Sequence, residues 1–164
     1  MLSICIPIYQ YDVSRLVNEL HSQCLASSVC FEIICIDDFS DLLIREKNQE
    51  TKRLKNVKYI ELNKNIGRSK IRNLFLNQSN YESLIFLDCD CSIPKNFILN
   101  YCKNIDKDVV YGGRKHHKNK PNDKNKYLRW KYGLEREDLT IKIRKKSPYL
   151  SFRSNNFMIK KTIF

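Results

Sequence analysis

The chain has 164 residues, is 42% hydrophobic and carries a formal net charge of +12, which fits one domain with a sizeable core. No apolar run approaches the roughly 20 residues of a membrane-spanning helix, and the apolar opening has neither the basic stretch nor the cleavage site of a signal peptide. Neither feature is therefore expected. The charge is uneven: residues 1–110 hold 14 Lys+Arg against 14 Asp+Glu, while residues 111–164 hold 16 against 4. That asymmetry points to an anionic partner for the last third (a membrane surface, an acidic glycan, a lipid diphosphate or nucleic acid), or else to a solvated basic face. The seven cysteines, Cys5, Cys24, Cys30, Cys35, Cys89, Cys91 and Cys102, form no CxxC pair. They read as buried, reduced thiols of a cytoplasmic protein rather than as zinc ligands.

In chain order, Leu2–Ile8 is a short apolar run and reads as a buried strand. Val13, Leu16, Val17, Leu20 and Cys24 follow at helical spacing after Asp12. Residues 31–36 form a second strand ending in Asp37-Asp38, and residues 41–54 a polar helix. Residues 57–62 form a third strand, and a turn at 63–65 leads to a helix over 67–78 with Ile71, Leu74 and Phe75 inward. Residues 84–87 are the fourth strand, Pro94 opens a short helix through Cys102, and Val109–Tyr111 is the fifth strand. Residues 114–126 read as a mobile basic loop containing His116-His117. Strands alternating with helices predict an α/β/α sandwich on a mainly parallel sheet, with ligands beyond the carboxyl ends of the strands.

Those ends carry the informative residues. Asp88 and Asp90 end an apolar run at i and i+2, so on an extended segment both point to one side. Paired carboxylates suit Mn²⁺ or Mg²⁺, ions that keep open positions for phosphate oxygens; the ordinary alternative is a solvated strand end. Asp38 can accept from a base N–H and Tyr9 can stack on its ring. The ordinary readings are helix N-capping by Asp37-Asp38 and a rim aromatic. Arg68, Lys70 and Arg72 oppose the dipole of their helix unless an anion lies there. Arg68 and Arg72, four apart, suit a diphosphate, or are merely tolerated surface arginines. The four glycines, Gly67, Gly112, Gly113 and Gly133, make no GxGxxG and no Walker A motif, which removes support for dinucleotide redox chemistry and P-loop hydrolysis.

Taken together, the residues resemble a family 2 glycosyltransferase of the GT-A fold, a Rossmann-like nucleotide-diphospho-sugar transferase. Ser3-Ile4-Cys5-Ile6-Pro7-Ile8-Tyr9 resembles the family's opening strand, with Gln10 in place of Asn. Glu32 through Asp41 resembles its second strand and Asp-Asp turn, with Phe39 in place of Gly. Asn63-Lys64-Asn65-Ile66-Gly67 through Ile71-Arg72-Asn73 resembles its Asn-x-Gly…Arg-Asn element, with Ile71 in place of Ala. Phe86-Leu87-Asp88-Cys89-Asp90 resembles its DxD motif, and Phe152 through Lys161 the strand that begins its acceptor half. The resemblance implies that Pro7, Tyr9, Asp38, Gly67, Arg68, Arg72 and Asp88 border the nucleotide. It also implies that Asp90, with Asp88, holds the Mn²⁺ or Mg²⁺, and that Asn155 and Asn156 lie on the acceptor side. Residues 1–111 would form the nucleotide-sugar-binding half and residues 112–164 a basic loop, helix and the start of the acceptor half, within one domain.

The implied activity is metal-dependent, inverting transfer from a UDP- or GDP-linked sugar to the hydroxyl of a glycan or lipid-linked acceptor, in polysaccharide synthesis of the cell envelope. An inverting enzyme needs a carboxylate base, which the family places beyond the Asn155-Asn156 element. The acids after Gly113 are Asp123, Glu135, Glu137 and Asp138, and the adjacent pair Glu137-Asp138 reads as surface charge in a basic helix. The base is thus expected beyond Phe164, in a truncated enzyme that binds donor but transfers poorly. Two other readings stand beside it. One is a basic face holding a cytoplasmic enzyme at the inner, anionic membrane surface. The other, weaker one is a nucleic-acid module built on Tyr127, Trp130 and Tyr132 among the basic residues.

Overall fold

The computed structural model describes residues 1–150 and 152–164. In chain order its elements are β1 (Leu2–Ile8), α1 (Ser14–Ala26), β2 (Phe31–Asp37), α2 (Leu42–Gln49), β3 (Val57–Glu61), α3 (Arg68–Gln78), β4 (Ser83–Leu87) and α4 (Phe97–Cys102). Then come β5 (Val109–Tyr111), α5 (Tyr127–Tyr132), α6 (Ile141–Lys146) and β6 (Asn156–Lys160). The strands form one six-stranded sheet in the order β3-β2-β1-β4-β6-β5. β1 pairs in parallel with β2 and β4, and β2 with β3. β6 runs antiparallel to both β4 and β5, so it alone is reversed.

The continuous apolar runs are explained by burial on both faces, since successive strand residues point to opposite sides. On one face Leu2, Ile4, Ile6 and Ile8 of β1, with Ile33, Cys35, Ile85 and Leu87, pack against the stripe of α1 and against Phe97, Ile98 and Tyr101 of α4. On the other, Cys5, Ile34, Ile36, Leu84, Phe86 and Phe157 pack against Ile71 and Phe75 of α3. The α/β/α sandwich and mainly parallel sheet are therefore as the sequence predicts. Leu74 is only half-buried.

Two helices start or stop differently from their predicted bounds. The helix predicted over 41–54 ends at Gln49 and tightens into a 3₁₀ turn over Glu50–Arg53. The buried Asn48 causes this: its side chain accepts from Val13 N (2.9 Å) and donates to Tyr11 O (2.9 Å), while Thr51 Oγ1 donates to its carbonyl (2.6 Å). Pro94 does not open α4. Its carbonyl accepts from Phe97 N (3.0 Å) and from Gln23 Nε2 (2.9 Å), making a turn that ties the loop to α1.

Candidate functional site

The strand order reverses between β1 and β4, and there the loops after both strands face each other at the carboxyl edge. A cleft of about 330 Å³ opens at this point. Pro7, Tyr9, Asp38, Gly67, Arg68, Arg72, Asp88 and Asp90 all line it. Asn65, Ile71 and Cys89, which lie within the motifs quoted above, line it too, and so does Tyr11, which nothing in its spacing singled out. Lys70 is exposed and does not reach it. A larger, more open hollow between α1 and residues 92–95 gathers no converging carboxylates.

Asp37 and Asp38 do different work from helix capping. Asp37 is fully buried, accepting from Ser40 N (2.7 Å) and Tyr59 Oη (2.9 Å), and α2 has no side-chain cap from Asp41. Asp38, 4% exposed, takes Ile66 N on Oδ1 (2.7 Å) and Gly67 N on Oδ2 (2.9 Å), while Asn65 Nδ2 donates to its carbonyl (3.1 Å). It thus fastens the turn before α3 to the end of β2 and still has lone pairs toward the cleft. Gly67 needs its residue type, because φ is +84°. Asp38→Ala is expected to destabilise the chain by about 2–3 kcal/mol, because two backbone N–H groups lose their acceptor. Urea unfolding with an unchanged midpoint would sink this assignment.

The departures at Gln10 and Phe39 both fall where the backbone is left-handed, at φ 53° and 67°. Each is offset by local contacts. Gln10 N donates to Ser40 Oγ (2.8 Å), and the Arg45 guanidinium lies 5.7 Å from the Phe39 ring centroid.

Arg72 Nη2 donates to Asp88 Oδ1 (2.7 Å) and reaches the Ser154 carbonyl (3.4 Å), while its buried Nε has no partner among the described residues. Burial raises the Asp88 carboxyl above its ordinary range; the Arg72 charge pulls it back and Asp90 adds to the rise. Asp90 is exposed. Burial pushes the neighbouring Cys89 and Cys91 thiols up to about 11, so neither offers a thiolate. Among the described residues no group of three or more His, Cys, Asp or Glu side chains is arranged to hold a metal ion. The donor set is therefore two hard carboxylates. It fits a divalent cation that completes its shell with phosphate and water, and it does not fit an all-protein cage.

Reversal of β6 brings its start, not its end, to this edge: Leu87 pairs with Asn156, and Asp88 N donates to Asn155 O (2.9 Å). The Asn155 Oδ1 is buried and has no partner among the described residues. Asn156 is already occupied, accepting from Tyr101 Oη (2.6 Å) and donating to Gly113 O (3.2 Å). It pins the turn at Gly112, where a Cβ would strike both Tyr101 and Asn156.

The pair Glu137-Asp138 is not surface charge. Glu137's side chain is 5% exposed, with Arg129 Nη2 at 2.9 Å, His116 Nε2 at 3.4 Å, and Arg114 and Arg153 at 3.6 Å. Asp138 accepts from His116 N (3.0 and 2.9 Å) and contacts its Nδ1 (2.7 Å). Gly133 leaves room for the imidazole, and Trp130 Nε1 donates to His117 O (2.7 Å). The stretch read as a mobile loop is thus fastened at both histidines. The Arg129 hydrogen bond, with help from the other arginines and against burial, lowers the Glu137 pKa, which makes it a counter-ion rather than a poised base. Glu137→Gln is expected to lower stability at pH 7 by about 2 kcal/mol, or roughly 5 °C in melting temperature. A depressed pKa stabilises above the ordinary glutamate value and ceases to do so as pH falls through the folded value. The gap between wild type and variant should therefore close in acid; equal melting curves at pH 7 would refute the assignment.

An α/β/α sheet with this cleft at its strand-order reversal and aspartates at the end of the fourth strand defines a GT-A-type nucleotide-diphospho-sugar transferase fold. The sequence matches Glycosyl transferase family 2 over residues 3–164, and the chain belongs to that family. It is similar to S. aureus TarS 1–349 in complex with UDP-GlcNAc, at 21% identity and TM-score 0.72 over 99% of this chain and 46% of that one. It is also similar to S. aureus TarS 1–349 at 25% identity and TM-score 0.59, over 74% of this chain and 40% of that one. The mannosyltransferase PcManGT from Pyrobaculum calidifontis, in complex with GDP-Man and Mn²⁺, matches at 16% identity and TM-score 0.64, over 97% and 44%. The chain spans less than half the length of each of these structures. No curated protein is significantly similar in sequence.

Proposed function

We propose that the cleft binds the nucleoside diphosphate of a UDP- or GDP-linked sugar and presents the sugar for inverting transfer to an acceptor hydroxyl in glycan synthesis. The observation that carries this reading is the convergence of residues from four strand ends on one cleft. Tyr9 offers an exposed ring to the base, and Asp38 accepts from the base while holding the turn around Gly67. Arg68 and Arg72 line the cleft and would meet the phosphates there. Asp90, with Asp88, would hold Mn²⁺ or Mg²⁺, which when bound offsets the charge growing on the departing diphosphate. In the transfer the acceptor oxygen bonds to the sugar C1 as the C1–O bond to the diphosphate breaks, and the acceptor proton passes to a base. No described acid after Gly113 is assigned that role. The sugar nucleotides held by the TarS and PcManGT structures support the donor class. Calorimetric titration of UDP, then GDP, with and without Mn²⁺ tests the reading. Saturable, metal-dependent heat with either nucleotide is expected, and none with both would overturn it.

A second reading, peripheral contact with an anionic membrane at its cytoplasmic face, is favoured by one surface. Residues 141–150 are exposed except Arg144, and Tyr149 (94%) and Leu150 (89%) stand beside Ile141, Ile143, Lys142, Lys145 and Lys146 without an acid. No helix among the described residues is long and apolar enough to cross a membrane. The chain is expected to sediment with phosphatidylglycerol vesicles but not phosphatidylcholine vesicles, and Tyr149→Ser/Leu150→Ser should weaken this severalfold. Equal recovery in the supernatant with both lipids would remove the membrane reading.

A further inference from the structure

The arginine cluster at the end of β5 has more positive charge than its carboxylates neutralise. Arg114, Arg129, Arg144 and Arg153 gather around Glu137 and Tyr111, with Asp138 the other acid, turned to His116. Among the described residues, four guanidinium groups around two carboxylates leave the cluster with an excess of two positive charges. Among the described residues Arg129 alone makes a hydrogen bond to Glu137. Arg114 and Arg153 stand 3.6 Å from its oxygens, outside hydrogen-bond reach, with side chains 35% and 47% exposed. Arg144 is held from behind, its Nη1 on the Tyr111 carbonyl (3.3 Å) and its guanidinium over the Tyr111 ring (5.1 Å).

The cluster also borders the donor cleft. Arg153 adjoins Ser154, whose carbonyl Arg72 reaches, and Asp88 N is bonded to Asn155 O. Arg114 follows the Gly112-Gly113 turn that Asn156 pins. This puts the backbone that carries Arg114 and Arg153 at the side of the donor cleft where β6 enters.

We propose that Arg114 and Arg153, backed by Arg129 and Arg144, bind the phosphate of a phosphate-bearing acceptor and so bring its hydroxyl to the donor sugar. The acceptor role rests on the donor reading above; the anion site itself does not. Two uncompensated charges match a phosphate monoester or a diphosphate better than a single carboxylate, and guanidinium groups present paired donors to phosphate oxygens. The phosphate can belong to a glycan or to a lipid carrier, and the two are separable by experiment.

The test is amide and arginine Nε NMR of the full labelled chain, with the cleft first filled with UDP and Mg²⁺. Glucose 6-phosphate should shift resonances around Arg114 and Arg153, and glucose should not. Arg114→Gln and Arg153→Gln should each weaken this binding at least fivefold while UDP affinity stays within twofold, and Arg153→Lys should recover part of it. Each variant leaves the Arg129–Glu137 bond in place, and circular dichroism checks the fold. Arginine-dependent binding of geranyl diphosphate severalfold tighter than that of glucose 6-phosphate assigns the lipid carrier; comparable or weaker binding assigns the glycan. Absent shifts, shifts confined to Asp88 and Asp90, or unchanged affinity in both glutamine variants would overturn the inference. Loss of UDP binding with phosphate binding intact would instead count against the donor reading.

Discussion

Asp90→Ala is expected to weaken the metal-dependent part of UDP or GDP binding by at least tenfold, about 1.4 kcal/mol, and to leave binding without metal almost unchanged. The asymmetry follows from how the two aspartates are held. Asp88 is half-buried and bonded to Arg72, so its removal would also free a cation in the cleft and blur the result. Asp90 is exposed, and its loss leaves no buried group unsatisfied. The melting temperature should therefore move by no more than about 1 °C, as for surface changes generally. Calorimetry with and without Mn²⁺ reads the first effect and a thermal melt the second. Equal metal dependence in variant and wild type would take Asp90 out of the site.

The largest stability effect should come from Phe86→Ala. Phe86 is fully buried, stacked on Phe157 (5.1 Å) and Phe164 (4.8 Å) and edge-on to Phe75 (5.8 Å). Its ring joins α3, β4, β6 and the final residue into one aromatic cluster. Truncation leaves a cavity against the buried rings of Phe75 and Phe157, and the cost is about 3–5 kcal/mol. That corresponds to roughly 10 °C in a chain of this size. Asp88 lies two residues on, so nucleotide affinity should fall as well. A loss below about 1 kcal/mol in urea unfolding would mean that the cluster repacks freely.

Much of this was legible in the residues because the relevant physics is local. Buried parallel strands must be apolar throughout, which gave β1, β2 and β4 nearly to the residue, and side-chain alternation put Asp88 and Asp90 at a strand end. What was not legible depends on partners far away in the chain. Asn48 ends α2 through Tyr11 and Val13, and Pro94 bonds to Gln23 rather than starting a helix. Asp38 is understood only once the amides of Ile66 and Gly67 are seen on it. Glu137 looked like one more surface charge because Arg114, His116, Arg129 and Arg153 share no periodicity with it. The substitutions at Gln10 and Phe39 were visible, but their left-handed backbone was not.

The reversed strand β6 has a consequence for how the protein is made. β5 joins the sheet through β6, yet it leaves the ribosome well before β6 does. During that interval β1 to β4 can assemble, while the far edge of β4 lies open and β5 has no partner. Such an unpaired edge is a template for pairing with other nascent chains, and its closure by a distant segment is a slow kind of folding step. Translation stalled before Asn156 should therefore yield chains whose first four strands are sound but which aggregate along the exposed side of β4.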